Sequence, residues 1–348
     1  MMKNVSVIHA LLAAALFGAS TPFAKLLLGE VSPWLLAGLL NLGSGFGLVL
    51  ARLLRDRGWK PSGLTAGEWP WLLGAIFFGG VLGPLALMFG LTHTSASTAS
   101  LLLNLEAVLT AVIAWLVFKE NADRRIVFGM LSIVAGGVVL AWPDGQGGAT
   151  DWLGPLAIVG ACLCWAIDNN LTRRVSASDA LFIAGIKGAM AGVVNAALAL
   201  ALGASLPAAL VMVGTLSVGL LGYGISLVFF LLALRGLGTA RTGAYFSIAP
   251  FIGTAVSLAL LGESTSAAFW LAAALMGWGV WLHLTEHHEH EHIHEPMEHS
   301  HRHVHDAHHR HQHDFDWNGD DAHEHWHQHE ALVHKHPHFP DTHHRHKH

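Results

Sequence analysis

A chain of 348 residues that is 53% hydrophobic and only 12% charged has too few charges for a soluble globular domain, where about a quarter of residues are charged. Charge divides it near residue 286: residues 1–286 hold 14 Lys/Arg and 12 Asp/Glu, a net of +2, whereas 287–348 hold 5 and 12, a net of −7, together with 24 of the 27 histidines. The only cysteines, Cys162 and Cys164, exclude a disulfide framework.

Ten apolar windows come close to the roughly 17–25 residues needed to cross a bilayer. The first, 7–27, follows Lys3 and resembles a signal peptide taken alone, but it has a counterpart later in the chain and is read as a span. Pro22 removes a backbone hydrogen bond inside it, which either frees a carbonyl toward a cavity or only kinks the helix. The second span is 33–51 and the third 69–90, with His93 in the short loop that follows, solvated by default. The fourth, 97–118, carries Asn104 and Glu106. Glu106 lies about eight or nine residues from one end, ~13 Å deep. Ionisable groups inside spans are functional candidates by default: Glu106 could exchange a proton or hold a cation, and the plainer reading is a neutral acid bonded to a neighbour.

The fifth span is 126–142 and the sixth 152–171. Cys164, Asp168 and Thr172 recur every four residues and so share a helix face. Asp168 could reach the interface, pair with Arg173 or line a polar cavity wall. Its match with Cys164 as a metal site is a weaker two-ligand pattern. Asn169 and Asn170 share the ambiguity. The seventh span, 180–202, places Lys187 and Asn195 on one face. Lys187 is only ~10 Å from the helix start, so snorkelling to the surface is preferred to pairing with Glu106 or Asp168. The eighth span is 208–234; the ninth, 240–261, contains Tyr245 and a mid-helix Pro250; the tenth is 267–285. Trp34, Trp69, Trp71, Trp142, Trp152 and Trp270 sit near span ends, as interfacial aromatic residues do.

With the N-terminus in the cytoplasm, the inner side receives Lys3, Arg52, Arg55, Arg57, Lys60, Lys119, Arg124, Arg125, Arg173, Arg174, Arg235 and Arg241, while the outer side receives only Lys25. Twelve against one satisfies the positive-inside rule and brings the C-terminal tail back to the cytoplasm. The expected location is a bacterial-type inner (plasma) membrane with both termini inside.

The body repeats itself. Leu85–Glu120 lies over Val228–Glu263 without gaps at an offset of 143, pairing Gly79 with Gly222, Glu120 with Glu263, and Glu106 with Ala249; "LFGASTPFAK", Leu16–Lys25, lies over "CWAIDNNLTR", Cys164–Arg173, at an offset of 148. Five spans per half is an odd number, so the halves must enter the membrane in opposite directions, a recurrent plan of secondary transporters. The stretch "ALRGLGTARTGAYFSIAPFIGTAVSLALLGE" resembles the signature of the drug/metabolite transporter superfamily, EamA type; the first half carries it more weakly, with "NLEA" where that family usually has a proline. The resemblance covers nearly all of residues 7–285. It implies ten helices around a cavity lined by the first, third, fourth, sixth, eighth and ninth spans. It names no substrate, because that family moves many small molecules, and the histidine tail is not part of its pattern.

The expected fold is therefore an all-α integral membrane protein of ten transmembrane helices. Residues 1–143 and 144–286 form two inverted five-helix repeats, and a disordered His-rich cytoplasmic tail occupies 287–348. The tail contains one 26-residue unit twice, at 288–313 and 323–348, identical at 15 positions. The first copy holds His288, His290, His292, His294, His299, His301, His303, His305, His308, His309, His311 and His313. The second holds His323, His325, His327, His329, His334, His336, His338, His343, His344, His346 and His348. Alternate residues of an extended chain share a face about 6.6 Å apart, so His-x-His pairs can converge on Ni, Co, Zn or Cu. The same imidazoles titrate near pH 6.5, which makes a pH sensor or an anionic-membrane contact the rival reading.

No GxxxxGK[ST] loop is present, so neither nucleotide hydrolysis nor an enzyme is expected. No cofactor is required and no nucleic acid is implied. The partners are the lipid bilayer and a small-molecule or ion substrate, and a homodimer is compatible with the plan. Pathway candidates are Glu106, Asp168, Asn104, Asn169, Asn170, Lys187, Pro22, Pro250 and Tyr245. The leading function is export of a small metabolite or drug-like solute, with the tail as a metal-dependent regulator or buffer. The alternatives are efflux of Ni, Co or Zn collected by the tail, and a membrane-anchored metal store.

Overall fold

The computed structural model describes residues 2–118, 124–142, 152–175, 178–237, 239–285 and the tail segments 289–294, 297–303, 323–329 and 332–337. Helix α1, Met2–Leu27, runs unbroken through Pro22, and α2, Pro33–Asp56, starts on a proline whose fixed φ suits a first turn. The third span is α3, Trp69–Ala75, and α4, Gly83–His93, joined by a π-helical segment Ile76–Leu82. The fourth is two helices, α5, Ala96–Leu102, and α6, Leu105–Phe118; α7 is Arg124–Ala141.

The second half follows the same order. Helices α8, Leu153–Thr172, and α9, Ala180–Ala201, are single; α10, Ala209–Val218, and α11, Ser226–Leu237, flank a π-helical Gly219–Ile225. The ninth span is again two helices, α12, Thr239–Phe246, and α13, Ala249–Leu261, and α14 is Ala267–Leu284. The two π-helical segments are 143 residues apart at both ends, the spacing of the sequence repeat. Helices α2 and α9 hold the same place in their halves and cross antiparallel: Cβ positions on Gly38, Gly192 and Gly45 abut Ala196, Leu42 and Ala189.

Eight stretches among the described residues are long and apolar enough to cross a bilayer. Helix α8 falls outside that set because Asp168, Asn169 and Asn170 lower its apolarity, and α13 because the break at Ser247–Ile248 leaves it 13 residues. The outward faces carry Phe46, Leu116, Phe128 and Leu210, all more than 60% exposed, as suits a lipid-facing surface.

Two sequence expectations change here. Pro250 is not mid-helix: it stands in the first turn of α13, where its missing N–H costs no helix bond. Four tail segments are strands rather than irregular chain: β1, Glu289–His294, pairs antiparallel with β4, Leu332–Pro337, and β2, Met297–His303, with β3, His323–His329. The His-x-His alternation has the two-residue period of a strand. Residues 286–288, 295–296, 304–322, 330–331 and 338–348 lie outside the described residues. With them lie the candidate ligands His288, His305, His308, His309, His311, His313, His338, His343, His344, His346 and His348.

Candidate functional site

The polar core is built on one face of α8. Lys187 Nζ of α9 donates to Asp168 Oδ1 at 2.6 Å and to Thr172 Oγ1 at 3.0 Å, and Thr172 donates to the same Asp168 oxygen at 2.7 Å. Both charged side chains are about nine-tenths buried. Snorkelling is thereby corrected: the Lys187 amine finds its partner in a buried carboxylate on α8 and does not reach the surface. Asp168 pairs with Lys187 rather than with Arg173. Cys164 takes no part, and no group of three His, Cys, Asp or Glu able to hold a metal occurs among the described residues.

The other side of the carboxylate meets α3–α4. A Cβ on Gly79 would overlap Asp168, so only glycine lets the π-helical segment approach so closely. A π-helical turn shifts carbonyls out of the regular ladder, and three side chains collect them. Trp165 Nε1 donates to Gly79 O (3.0 Å), and Asn41 Nδ2 and Asn195 Nδ2 both donate to Gly80 O (3.1 Å). In the second half, Gly222 meets Ser20 in the same way. Ser20 aligns with Asp168 in the repeat. The repeat partners Phe17 and Trp165 touch edge to face, 6.1 Å between ring centroids.

Glu106 stands beside this core in the first turn of α6, where a helix N-terminus favours a negative group. Its Oε1 accepts Asn169 Nδ2 at 2.9 Å, and the same amide reaches Thr110 Oγ1 at 3.4 Å. Asn169 is exposed and Glu106 half-buried. Asn169 is one turn from the Arg173 end of α8. Glu106 has no cationic partner among the described residues, in contrast to Asp168. Asn170 points elsewhere, donating to Ala166 O at 2.8 Å and Thr110 O at 3.4 Å.

The remaining candidates scatter. Asn104 is buried toward α14, donating to Leu101 O at 2.9 Å, with its Oδ1 unpaired among the described residues. Pro22 leaves Gly18 O without its usual donor, and that carbonyl faces Gly253 of α13. Tyr245 is half-buried in α12 and contributes its carbonyl to Ile248 N. His93 ends α4 exposed, its Nδ1 against Thr92 Oγ1 at 2.7 Å.

The two ends of the bundle differ. At one end Lys25 Nζ donates to Leu91 O and, at 2.9 Å, to Thr94 O, while Glu263 accepts Ala96 N at 2.7 Å and Ser97 N at 2.8 Å. A cation at the end of α4 and an anion at the start of α5 both match the helix dipoles and clamp the intervening turn. There α5 also packs on α13, with Ser100 Oγ 2.8 Å from the Cβ position of Gly253 and Thr254 Oγ1 3.4 Å from Ser97 O. At the other end the repeat partners are Gly243 and Thr110. Gly243 is exposed and nothing among the described residues comes within 4 Å of its Cβ position. Sequence reasoning missed Lys25, Glu263 and Thr110. The signals were there: Lys25 is the lone basic residue of its side, and Glu263 closes the repeat.

The profile of the EamA-like transporter family matches residues 4–142 and 152–285. An uncharacterized transporter of Methanothermobacter thermautotrophicus is 25% identical over 288 residues, 78% of this chain and 83% of that protein. The uncharacterized transporter YyaM of Bacillus subtilis is 30% identical over 179 residues, 50% of this chain and 57% of that protein. A solved structure described only as "Crystal structure of protein" superposes with a TM-score of 0.61 at 22% identity, covering 80% of this chain and 94% of that one, a likeness of fold alone.

Proposed function

The chain belongs to the EamA-like transporter family, and on that premise we propose that it is a secondary exporter of a small organic solute, with Glu106 as the group that binds solute or proton. The observation that carries this reading is the Glu106–Asn169 contact of 2.9 Å. It is a carboxylate inside the fourth span, held by the neutral amide of Asn169, which is itself exposed one turn from the Arg173 end of α8. The buried Asp168–Lys187 pair is already neutral, which leaves Glu106 to answer to a cationic group or a proton. The antiparallel α2 and α9 support an inverted repeat, and the basic residues support an inner-membrane protein with both termini in the cytoplasm.

The tail is a metal-binding regulator or buffer in this reading. Its strand register supports it: His299, His301 and His303 stand opposite His327, His325 and His323, and His290 and His292 opposite His336 and His334. Directly paired residues of an antiparallel ladder have Cβ atoms about 5 Å apart, so imidazoles from the two copies can share an ion. The same register favours a second reading, efflux of Ni, Co or Zn. A cation passing Asp168 would have to displace Lys187, which weighs against it.

The test compares cells making the full chain, a chain ending at Glu286, and Glu106→Gln, by metal content and by export of a panel of organic solutes. The expected outcome is a solute whose export needs Glu106 and survives loss of the tail. Glu106-dependent change in Ni, Co, Zn or Cu content with no organic solute moved would establish the second reading instead.

A further inference from the structure

The geometry points to Gly243 of α12 and Thr110 of α6 as the pair that closes the Arg173 end of the pathway, in exchange for release of the Lys25–Glu263 clamp at the opposite end. The inference deepens the transporter reading by assigning the residues of its two gates. It starts from an asymmetry between halves that share one sequence plan. Gly253 and Ser100, on α13 and α5, are in contact at the Lys25 end. Subtracting the repeat offset of 143 from Gly253 gives Thr110, and adding it to Ser100 gives Gly243. Those two form no such contact: Gly243 is exposed, with nothing among the described residues within 4 Å of its Cβ position, and Thr110 is half-buried beside Asn169 and Glu106.

A protein made of two inverted copies can exchange the conformations of its halves, which turns one end's contacts into the other's. Applied here, α12 moves onto α6 until the missing side chain of Gly243 lets the backbone rest on Thr110. That contact would cover Asn169, which is exposed in this structure and holds Glu106. At the other end, α5 and α13 part. The clamp must then open, because Lys25 from α1 and Glu263 after α13 both hold the turn between α4 and α5. Lys25 and Glu263 are positioning residues in this scheme: they set the balance between the two states and touch no solute.

The experiment uses the full-length protein with Cys162→Ser and Cys164→Ser, reconstituted in liposomes, with Thr110→Cys and Gly243→Cys added. A short bis-maleimide is the cross-linker, so that no copper reaches the histidine tail. The pair is expected to cross-link slowly, and Lys25→Met or Glu263→Gln is expected to raise the initial rate about tenfold, the least that loss of a charge-assisted hydrogen bond should shift a two-state balance. Glu263→Asp, which keeps the charge, should give a smaller increase. A rate unmoved or lowered by both Lys25→Met and Glu263→Gln, in protein that stays monodisperse, would overturn the assignment, as would no cross-linking in any variant. Because cross-linking reads geometry and not flux, those outcomes are separate from loss of transport in Glu106→Gln.

Discussion

Lys187 and Asp168 form a demanding contact, since each would be an uncompensated buried charge without the other. Removing one partner of a buried pair costs about 3–5 kcal/mol, and replacing both costs far less. Lys187→Met should therefore lower the melting midpoint in detergent sharply, and adding Asp168→Asn should recover most of the loss. Equal melting of Lys187→Met and the parent would mean the pair does not hold α8 to α9. The sequence shows both residues as intramembrane charges and offers their pairing only as second to snorkelling. Depth along a helix is legible from spacing, whereas the direction in which α9 turns Lys187 depends on its close passage against α2 at Gly45, Gly188 and Gly192, a property of two helices at once. Glu106 shows the reverse. Its candidacy follows from being a lone acid where the repeat has Ala249, but the sequence carries no sign that Asn169 is its partner.

At the level of the element, the π-helical segments and split helices matter more than the straight ones. Ile76–Leu82 brings Gly79 against Asp168, and a methyl group there has no space to enter. Gly79→Ala should cost about 1–3 kcal/mol, as overpacking does, and should reduce transport by displacing the carboxylate. Thermal melting and flux are the measurements. Pro250→Ala is the contrasting case. Since Pro250 opens α13, its loss should change stability by less than about 1 kcal/mol, and a large loss would show that the proline itself fixes the break. The repeat at offset 143 was legible and foretold that elements would recur in pairs. The break between α5 and α6 was not, because "NLEA" carries no proline. It is made by shorter-range bonds, Asn104 N to Leu101 O at 3.0 Å and Glu106 N to Leu103 O at 3.1 Å, which place Glu106 at a helix N-terminus.

For the whole molecule, the body and the tail obey different physics, and pH separates them. The tail's formal charge of −7 would become +17 if all 24 histidines were protonated, and an imidazole that has taken a proton no longer binds metal. In the proposed metal-binding reading, strand pairing between the two copies would bring their histidines into common sites, so deletion of either copy should remove more than half of the tightly held ions. The check is equilibrium dialysis of Ni against the full chain and a chain ending at Glu286, at about pH 7.5 and about pH 5.5, on either side of the unperturbed imidazole value. Binding is expected only in the full chain and only at the higher pH. A chain ending at residue 322, which keeps the first copy alone, should then hold fewer than half as many ions at the same free Ni. Retention of half with unchanged affinity would show two independent copies, and equal binding by the chain ending at Glu286 would move the metal site into the body.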